Sequence, residues 1–337
     1  MKPFRLTLLI LSLAVTVAVA VGFASGHAAR SSGTASSLSG GAALQNTFVS
    51  VFRKVSPSVV QIQTSEGLGS GIVFDGKGDI VTNYHVVGTS TTFQVTTSTG
   101  KNLTGKLVGT FPQDDIAVIK VPAGSGLKPA AFANSSALRV GDIAMAIGNP
   151  LGLQSSFTEG VVSATGRDEP EGNGYTLQNA IQTSAAINPG NSGGALVNIN
   201  GAVIGIPTLA ASDPQLGGAA AGIGFAIPSN DAKNYASQII ANGKVINSNR
   251  AYMGIEIGDT TSGVYIESVT AGGPSAKAGL VAGDVITSVG GTPTADSDDL
   301  GAVLAAKKPG QTVVVKFTRQ DGSTGSVDIT LAEYPAT

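Results

Sequence analysis

Cysteine is absent from all 337 residues, which excludes disulfides and thiolate metal sites and leaves packing alone to stabilise the fold. Tryptophan is absent as well, and only 12% of residues are charged. Histidine occurs twice, at His27 and His85, in no metal-ligand spacing, so no metal is expected and no cofactor is implied. The formal net charge of −2 with no basic run argues against nucleic acid as the main partner, because phosphate binding needs clustered Lys and Arg. Phosphate-cradling loops are missing too: no glycine-rich stretch contains Gly-Lys-Ser/Thr, and Gly67-Leu-Gly69-Ser-Gly71 lacks a following helix. What is abundant is glycine, 46 residues of it, among many Val, Ile, Thr and Ser. That mixture reads as a mostly β protein rich in turns, and the length suggests two domains.

Lys2 and Arg5 precede an uncharged tract from Leu6 to Ala24, followed by small residues and a Ser/Gly-rich stretch. Residues 1–26 are therefore expected to be a signal peptide or membrane anchor, and 27–45 a flexible linker. Export follows from either reading. Beyond the linker, Phe48 and Phe52 sit four apart on a short helix closed by Pro57. Short runs broken by glycine come next: 59–63, 71–74, 80–83, 92–97, 116–121, 143–147, 160–163, 195–198, 203–206 and 222–226. Two packed antiparallel barrels in about 185 residues fit this rhythm. A helix over 229–240 with Ala232, Tyr235 and Ile239 on one stripe ends the first domain, 46–245. The second, 250–335, has its own strands and one helix at 297–306.

Three segments carry the chemistry of a nucleophilic set: Thr-Asn-Tyr-His85-Val-Val, Asp-Asp115-Ile-Ala-Val-Ile-Lys, and Asn-Pro-Gly-Asn-Ser192-Gly-Gly-Ala-Leu. Acyl transfer by serine needs a base, an acid that fixes the base's tautomer, and donors for the oxyanion. His85 is the only imidazole outside the export tract. Gly190, Gly193 and Gly194 allow a bend tight enough for the amides of Gly190 and Ser192 to point at one oxygen. Asp115 is preferred to Asp114 because it directly precedes the apolar run 116–119, and Asp114 is then expected to face solvent. Gly190-Asn-Ser192-Gly-Gly194 also fits a nucleophile elbow, but that scaffold places its histidine after the serine, and none follows Ser192.

At these residues the chain resembles the HtrA/Deg family of trypsin-like serine proteases, over about 46–334. The matches are Thr82-Asn-Tyr-His85-Val-Val, Asp115-Ile-Ala-Val-Ile-Lys, Gly148-Asn-Pro-Leu-Gly, Thr158-Glu-Gly-Val-Val-Ser, Ile181-Gln-Thr, Ala186-Ile-Asn-Pro-Gly-Asn-Ser192-Gly-Gly-Ala-Leu-Val-Asn and Gly224-Phe-Ala-Ile-Pro. The resemblance implies a chymotrypsin-like double β-barrel followed by an α+β PDZ domain. It implies His85 as general base, Asp115 as its orienter, Ser192 as nucleophile, and the Gly190 and Ser192 amides as oxyanion hole. Ala186, Ile187, Gly224 and Phe225 fall at the specificity pocket, where Ala186 offers no carboxylate to a cationic side chain, so cleavage after small or medium aliphatic residues is expected. The family usually has Asp where this chain has Ser184.

The C-terminal unit is similar to a single PDZ domain, with Tyr252, Met253, Gly254 and Ile255 at the carboxylate-binding loop and Gly279-Leu-x-x-Gly-Asp284-Val-Ile as second hallmark. The resemblance implies unfolded or damaged proteins and peptide C-termini as partners, with a homotrimer held through the N-terminal edge, where Phe48 and Phe52 are suitable anchors. Two other functions are weighed against an envelope quality-control endopeptidase. One is a non-catalytic peptide binder or holdase; the other is a regulatory protease with one dedicated membrane substrate.

Overall fold

The computed structural model describes residues 33–65, 67–149, 156–170, 176–188, 190–213 and 218–334, with the backbone alone for 33–39, 209–213 and 218–221. The expected export segment 1–26 lies outside the described residues, and no described helix is long and apolar enough to cross a membrane. The chain divides into a unit up to Leu44 and a second, compact unit from Gln45 onward. Helix α1 runs Gly33–Val55, so the stretch read as a linker up to residue 45 is helical from Gly33. Ala42, Ala43, Leu44 and Gln45 are good helix formers, and a helix anchored at its far end propagates cheaply through them.

Six strands close the first barrel: β1 Val59–Gln63, β2 Leu68–Val73, β3 Asp79–Thr82, β4 Thr92–Thr96, β5 Asn102–Phe111 and β6 Ile116–Lys120, in spatial order β1-β2-β3-β6-β5-β4. A one-turn helix, α2 (Tyr84–Val87), follows β3. The second barrel contains β7 Ile143–Gly148, β8 Ser156–Pro170, β9 Thr176–Thr183, β10 Ala195–Val197, β11 Val203–Asp213 and β12 Gly218–Pro228, ordered β10-β11-β12-β9-β8-β7. Helix α3, Ser229–Asn242, ends at Gly243, whose left-handed φ of 75° caps it.

Strand alternation distributes the apolar residues over three cores. Val60, Ile62, Ile80, Ala117 and Ile119 fill the first barrel. Ala144, Ala146, Leu196 and Ala226 fill the second. Their neighbours Val59, Val81, Ile116, Val118, Met145, Ile147, Val197, Phe225 and Ile227 point the other way and meet in one seam between the barrels, completed by Val51, Val55 and Tyr235. Strands buried on both faces read as continuous apolar runs, which is how these segments look in the sequence. Phe48 and Phe52 pack on Phe157 of β8, ring centroids 6.2 and 6.0 Å away.

Beyond α3, β13 (Ala251–Tyr252) pairs with β20 (Ala332–Glu333). A second sheet is ordered β14 (Ile255–Thr260), β15 (Gly263–Val269), β16 (Val285–Val289), β18 (Thr312–Thr318) and β19 (Thr324–Thr330), with β17 (Thr292–Pro293) on β16. Helices α4 (Pro274–Ala278) and α5 (Ser297–Ala305) accompany it. Strand β14 stands at the sheet's edge.

Candidate active site

The seam brings Asp115 against His85 and the loop carrying Ser192 against β2 and the residues just before His85. Asp115 ends the short turn Pro112–Asp114 with a left-handed backbone, φ 48° and ψ 42°, before the chain enters β6. That conformation costs about 1 kcal/mol or more in a residue with a side chain and persists only where the surroundings hold it. Here the Asp115 carbonyl accepts from the Tyr84 N–H and from Asn83 Nδ2, each at 3.0 Å. Its carboxylate, buried at the seam, accepts from the His85 backbone N–H at 2.9 Å and lies 2.7 Å from His85 Nδ1. The Thr208 hydroxyl donates to the same carboxylate.

In the tautomer that carries its proton on Nδ1, the imidazole donates to this carboxylate and Nε2 is left as an acceptor. The His85 side chain is 47% exposed, whereas that of Asp115 is 6% exposed. His85 lies within α2, because the chain turns directly out of β3 at Asn83.

Half-buried Ser192 follows Gly190, whose φ of 104° is closed to other residue types. The Ser70 hydroxyl donates to the Gly190 carbonyl at 2.6 Å, and the Ser70 N–H donates to the Ser192 carbonyl at 2.9 Å. Gly193 has φ 76°, and a Cβ there would stand 2.2 Å from the Ser70 carbonyl and 3.2 Å from the Asn83 nitrogen. Its N–H donates to Pro207, the neighbour of Thr208. The loop carrying Ser192 is thus tied to β2, to the residues just before His85, and to the strand that supports Asp115. Among the sequence motifs, Pro150, Leu151, Gly152 and Pro189 lie outside the described residues.

Of the four residues assigned to the specificity pocket, Ile187 and Gly224 touch: a Cβ on Gly224 would meet Ile187 Cγ1 at 2.4 Å. Ala186 is exposed, and its carbonyl accepts from Thr158 Oγ1 at 2.8 Å and Asn191 Nδ2 at 3.1 Å. Phe225 belongs to the seam core, on the opposite face of β12 from Gly224. Its place in the seam follows from the period of two along a strand. Ser184 is bonded to β8 in both directions, its N–H to the Val161 carbonyl and its hydroxyl from the Val161 N–H, each 3.1 Å.

Asp114 does not face solvent. It is 3% exposed and forms a two-pronged ion pair with buried Arg250, whose Nε donates to one carboxylate oxygen at 2.6 Å and whose Nη2 donates to the other. Burial pushes the Asp114 carboxyl above the ordinary carboxylate range, and the guanidinium pulls against that. Burial, aided by Asp114, raises the neighbouring Tyr235 hydroxyl in the same way. Sequence reasoning misses Thr208, Ser70 and Arg250: each acts from a distant segment without a motif, and only the closed barrels bring them in.

In the C-terminal domain Gly254 takes a φ of 79°, its carbonyl accepting from the Thr270 N–H at 2.9 Å. Met253, 1% exposed, is a core residue of this domain, whereas Ile255 begins the edge strand β14. A cavity of about 450 Å³ runs past Gly254, Ile255 and Ile257 on one side and Leu300 and Leu304 of α5 on the other. Tyr252 and Tyr334 also line it, with ring centroids 4.8 Å apart. An unpaired strand edge facing an apolar helix across a groove can take up one extended peptide strand.

Residues 69–206 match the trypsin-like peptidase domain family and residues 251–331 the PDZ domain family. The chain is 41% identical to serine protease PepD of Mycobacterium tuberculosis, over 84% of this chain and 65% of that protein. Identity to the periplasmic serine endoprotease DegP of Escherichia coli is 42%, over 81% and 58%. For the serine protease Do-like HtrA of Lactococcus lactis subsp. cremoris it is 37%, over 91% and 88%. This chain therefore spans less than two thirds of the first two relatives and most of the third. The solved HtrA-type protease AlgW with a decapeptide superposes with a TM-score of 0.58 at 30% identity, over 86% of this chain and 99% of that one. The chain belongs to the HtrA family of trypsin-like serine proteases that carry a PDZ domain.

Proposed function

We propose that this protein is a serine endopeptidase of the cell envelope that hydrolyses unfolded or mislocalised proteins, with its PDZ domain binding exposed C-termini. The observation that carries the reading is the Asp115 carboxylate, 2.7 Å from His85 Nδ1 and bonded also to the His85 backbone N–H and the Thr208 hydroxyl. In this reading neutral His85 takes the Ser192 hydroxyl proton on Nε2 as Oγ attacks the scissile carbonyl. Asp115 stabilises the resulting imidazolium, and the N–H groups of Gly190 and Ser192 hold the oxyanion. His85 then gives its proton to the leaving amine, and water, deprotonated by the same base, releases the acyl group from Ser192.

Ala186, Ile187 and Gly224 are proposed to shape the pocket for the residue before the scissile bond. A buried ammonium or guanidinium would meet no carboxylate there, so small and medium aliphatic side chains fit best. Cutting a random peptide library checks both levels of the claim. Cleavage after Val, Ala or Ile is expected; cleavage mainly after Lys or Arg would overturn the pocket, and no cleavage of any peptide would overturn the activity.

DegP is named a periplasmic enzyme, and a basic-then-apolar N-terminus fits export of this chain as well, with residues 1–26 cleaved or kept as an anchor. The AlgW structure holds a decapeptide, which favours a peptide in the groove between β14 and α5. A homotrimer through the N-terminal edge completes the proposal.

A further inference from the structure

The ion pair between Asp114 and Arg250 takes no part in the acyl transfer, yet it withdraws two opposite charges from water. Both side chains are more than nine-tenths buried. Arg250 places one further donor inside as well, with Nη1 on the Thr176 carbonyl at 2.9 Å. Withdrawing two charges from water costs several kcal/mol per ion, and an apolar pair of similar volume is often as stable. A role in conformation is therefore the better account of it than a role in stability.

The location points to what that role is. Asp114 directly precedes Asp115, and Arg250 directly precedes β13, where the PDZ domain begins. Asp115 holds a left-handed backbone that only its surroundings maintain. On its C-terminal side, β6 fixes the chain through Ile116, paired with Phe111. On its N-terminal side lie three residues of turn, Pro112–Asp114, whose one charged side chain is the Asp114 carboxylate gripped by Arg250. The groups that face the pair are Tyr235 and Asp231 of α3, the latter accepting from Asn179 Nδ2 at 3.2 Å.

We propose that Arg250 is a positioning residue for catalysis: by holding Asp114 with its planar fork it sets the turn that aims the Asp115 carboxylate at His85 Nδ1. A guanidinium fixes a carboxylate in plane as well as in distance, which a point charge does not. Without the fork, residue 114 loses the bonds that hold it in plane, and the rotation this allows passes to Asp115 one residue on. The proposal rests on the reading of His85 and Asp115 as base and orienter.

The test compares wild type with the double variant Asp114→Leu/Arg250→Met, which removes both charges and so leaves no buried ion unpaired. Expected are a melting temperature close to wild type, KM for a cleaved peptide unchanged, and kcat lower by about tenfold or more, the scale of a misaligned catalytic group. The proton in the bond between His85 Nδ1 and Asp115, seen by NMR far downfield, should weaken or move upfield. Wild-type kcat together with an unmoved resonance would overturn the proposal and leave the pair a structural clamp. If the double variant does not fold, Arg250→Lys keeps the charge and loses the fork; it carries the same expectation, and wild-type kcat in it is equally fatal. The resonance needs no substrate. Failure of the wild type to cleave any peptide would therefore strike the activity alone, and the resonance would still decide the pair.

Discussion

Two adjacent aspartates with opposite duties show how much one residue of register decides at this site. The sequence favours Asp115 as the orienter because of the apolar run after it, and that residue does lie against His85. The same reasoning sends Asp114 to solvent and fails, because its partner Arg250 is 136 residues away and carries no motif. Glycine is easier to read. Gly193 is required both by its φ of 76° and by the 2.2 Å that would separate an added Cβ from the Ser70 carbonyl. Gly193→Ala is expected to lower stability by about 2 kcal/mol and kcat by about a hundredfold, through displacement of Ser192. Thermal unfolding and peptide hydrolysis check this, and a variant with wild-type values in both would contradict the packing described.

At the scale of elements, the strands of the first barrel are legible wherever apolar runs are buried on both faces, as at 59–63 and 116–121. Strand β5, Asn102–Phe111, is not, since its residues Asn, Thr, Gly and Lys give no clear period. Its Gly109 instead marks a close approach: a Cβ there would stand 2.1 Å from the carbonyl of Gly243, the residue whose N–H caps α3. Of the long β8 only 160–163 is legible, because most of its outer half is exposed and polar. Helix α3 carries a pH signal. Burial, its largest influence, raises the half-buried Asp231 carboxyl, with Asn179 and Arg250 pulling it back. The native state therefore keeps a proton that the unfolded chain, with an Asp value near about 3.9, has already released. Stability should fall as pH rises through the window between those two values and level off above it. Asp231→Asn, which still accepts from Asn179, should flatten that slope in denaturant titrations run across pH; an unchanged slope would assign it to another group.

For the molecule as a whole, domain order and fold class are plain in the sequence because each domain has its own turn signals and periodicity. What the sequence does not supply is the contact between them. Gln178 of β9 donates to the Ala305 carbonyl of α5 at 3.0 Å, and Arg250 reaches from the start of the PDZ domain to Asp114. These join residues 127 and 136 positions apart in the sequence. The groove between β14 and α5 yields a further expectation: a peptide with a free apolar C-terminus binds, and its amidated form does not, because backbone N–H groups at the loop around Gly254 are proposed to hold a carboxylate. Calorimetry with the two peptides checks this, and equal affinity would remove the carboxylate from the account.

The claim on which the rest depends is that Ser192 is the nucleophile oriented against a base that Asp115 holds. Casein hydrolysis by the purified protein beside its Ser192→Ala variant tests it most directly. Hydrolysis by the wild type and none above background in the variant is the predicted result, whereas hydrolysis that persists in Ser192→Ala would contradict it.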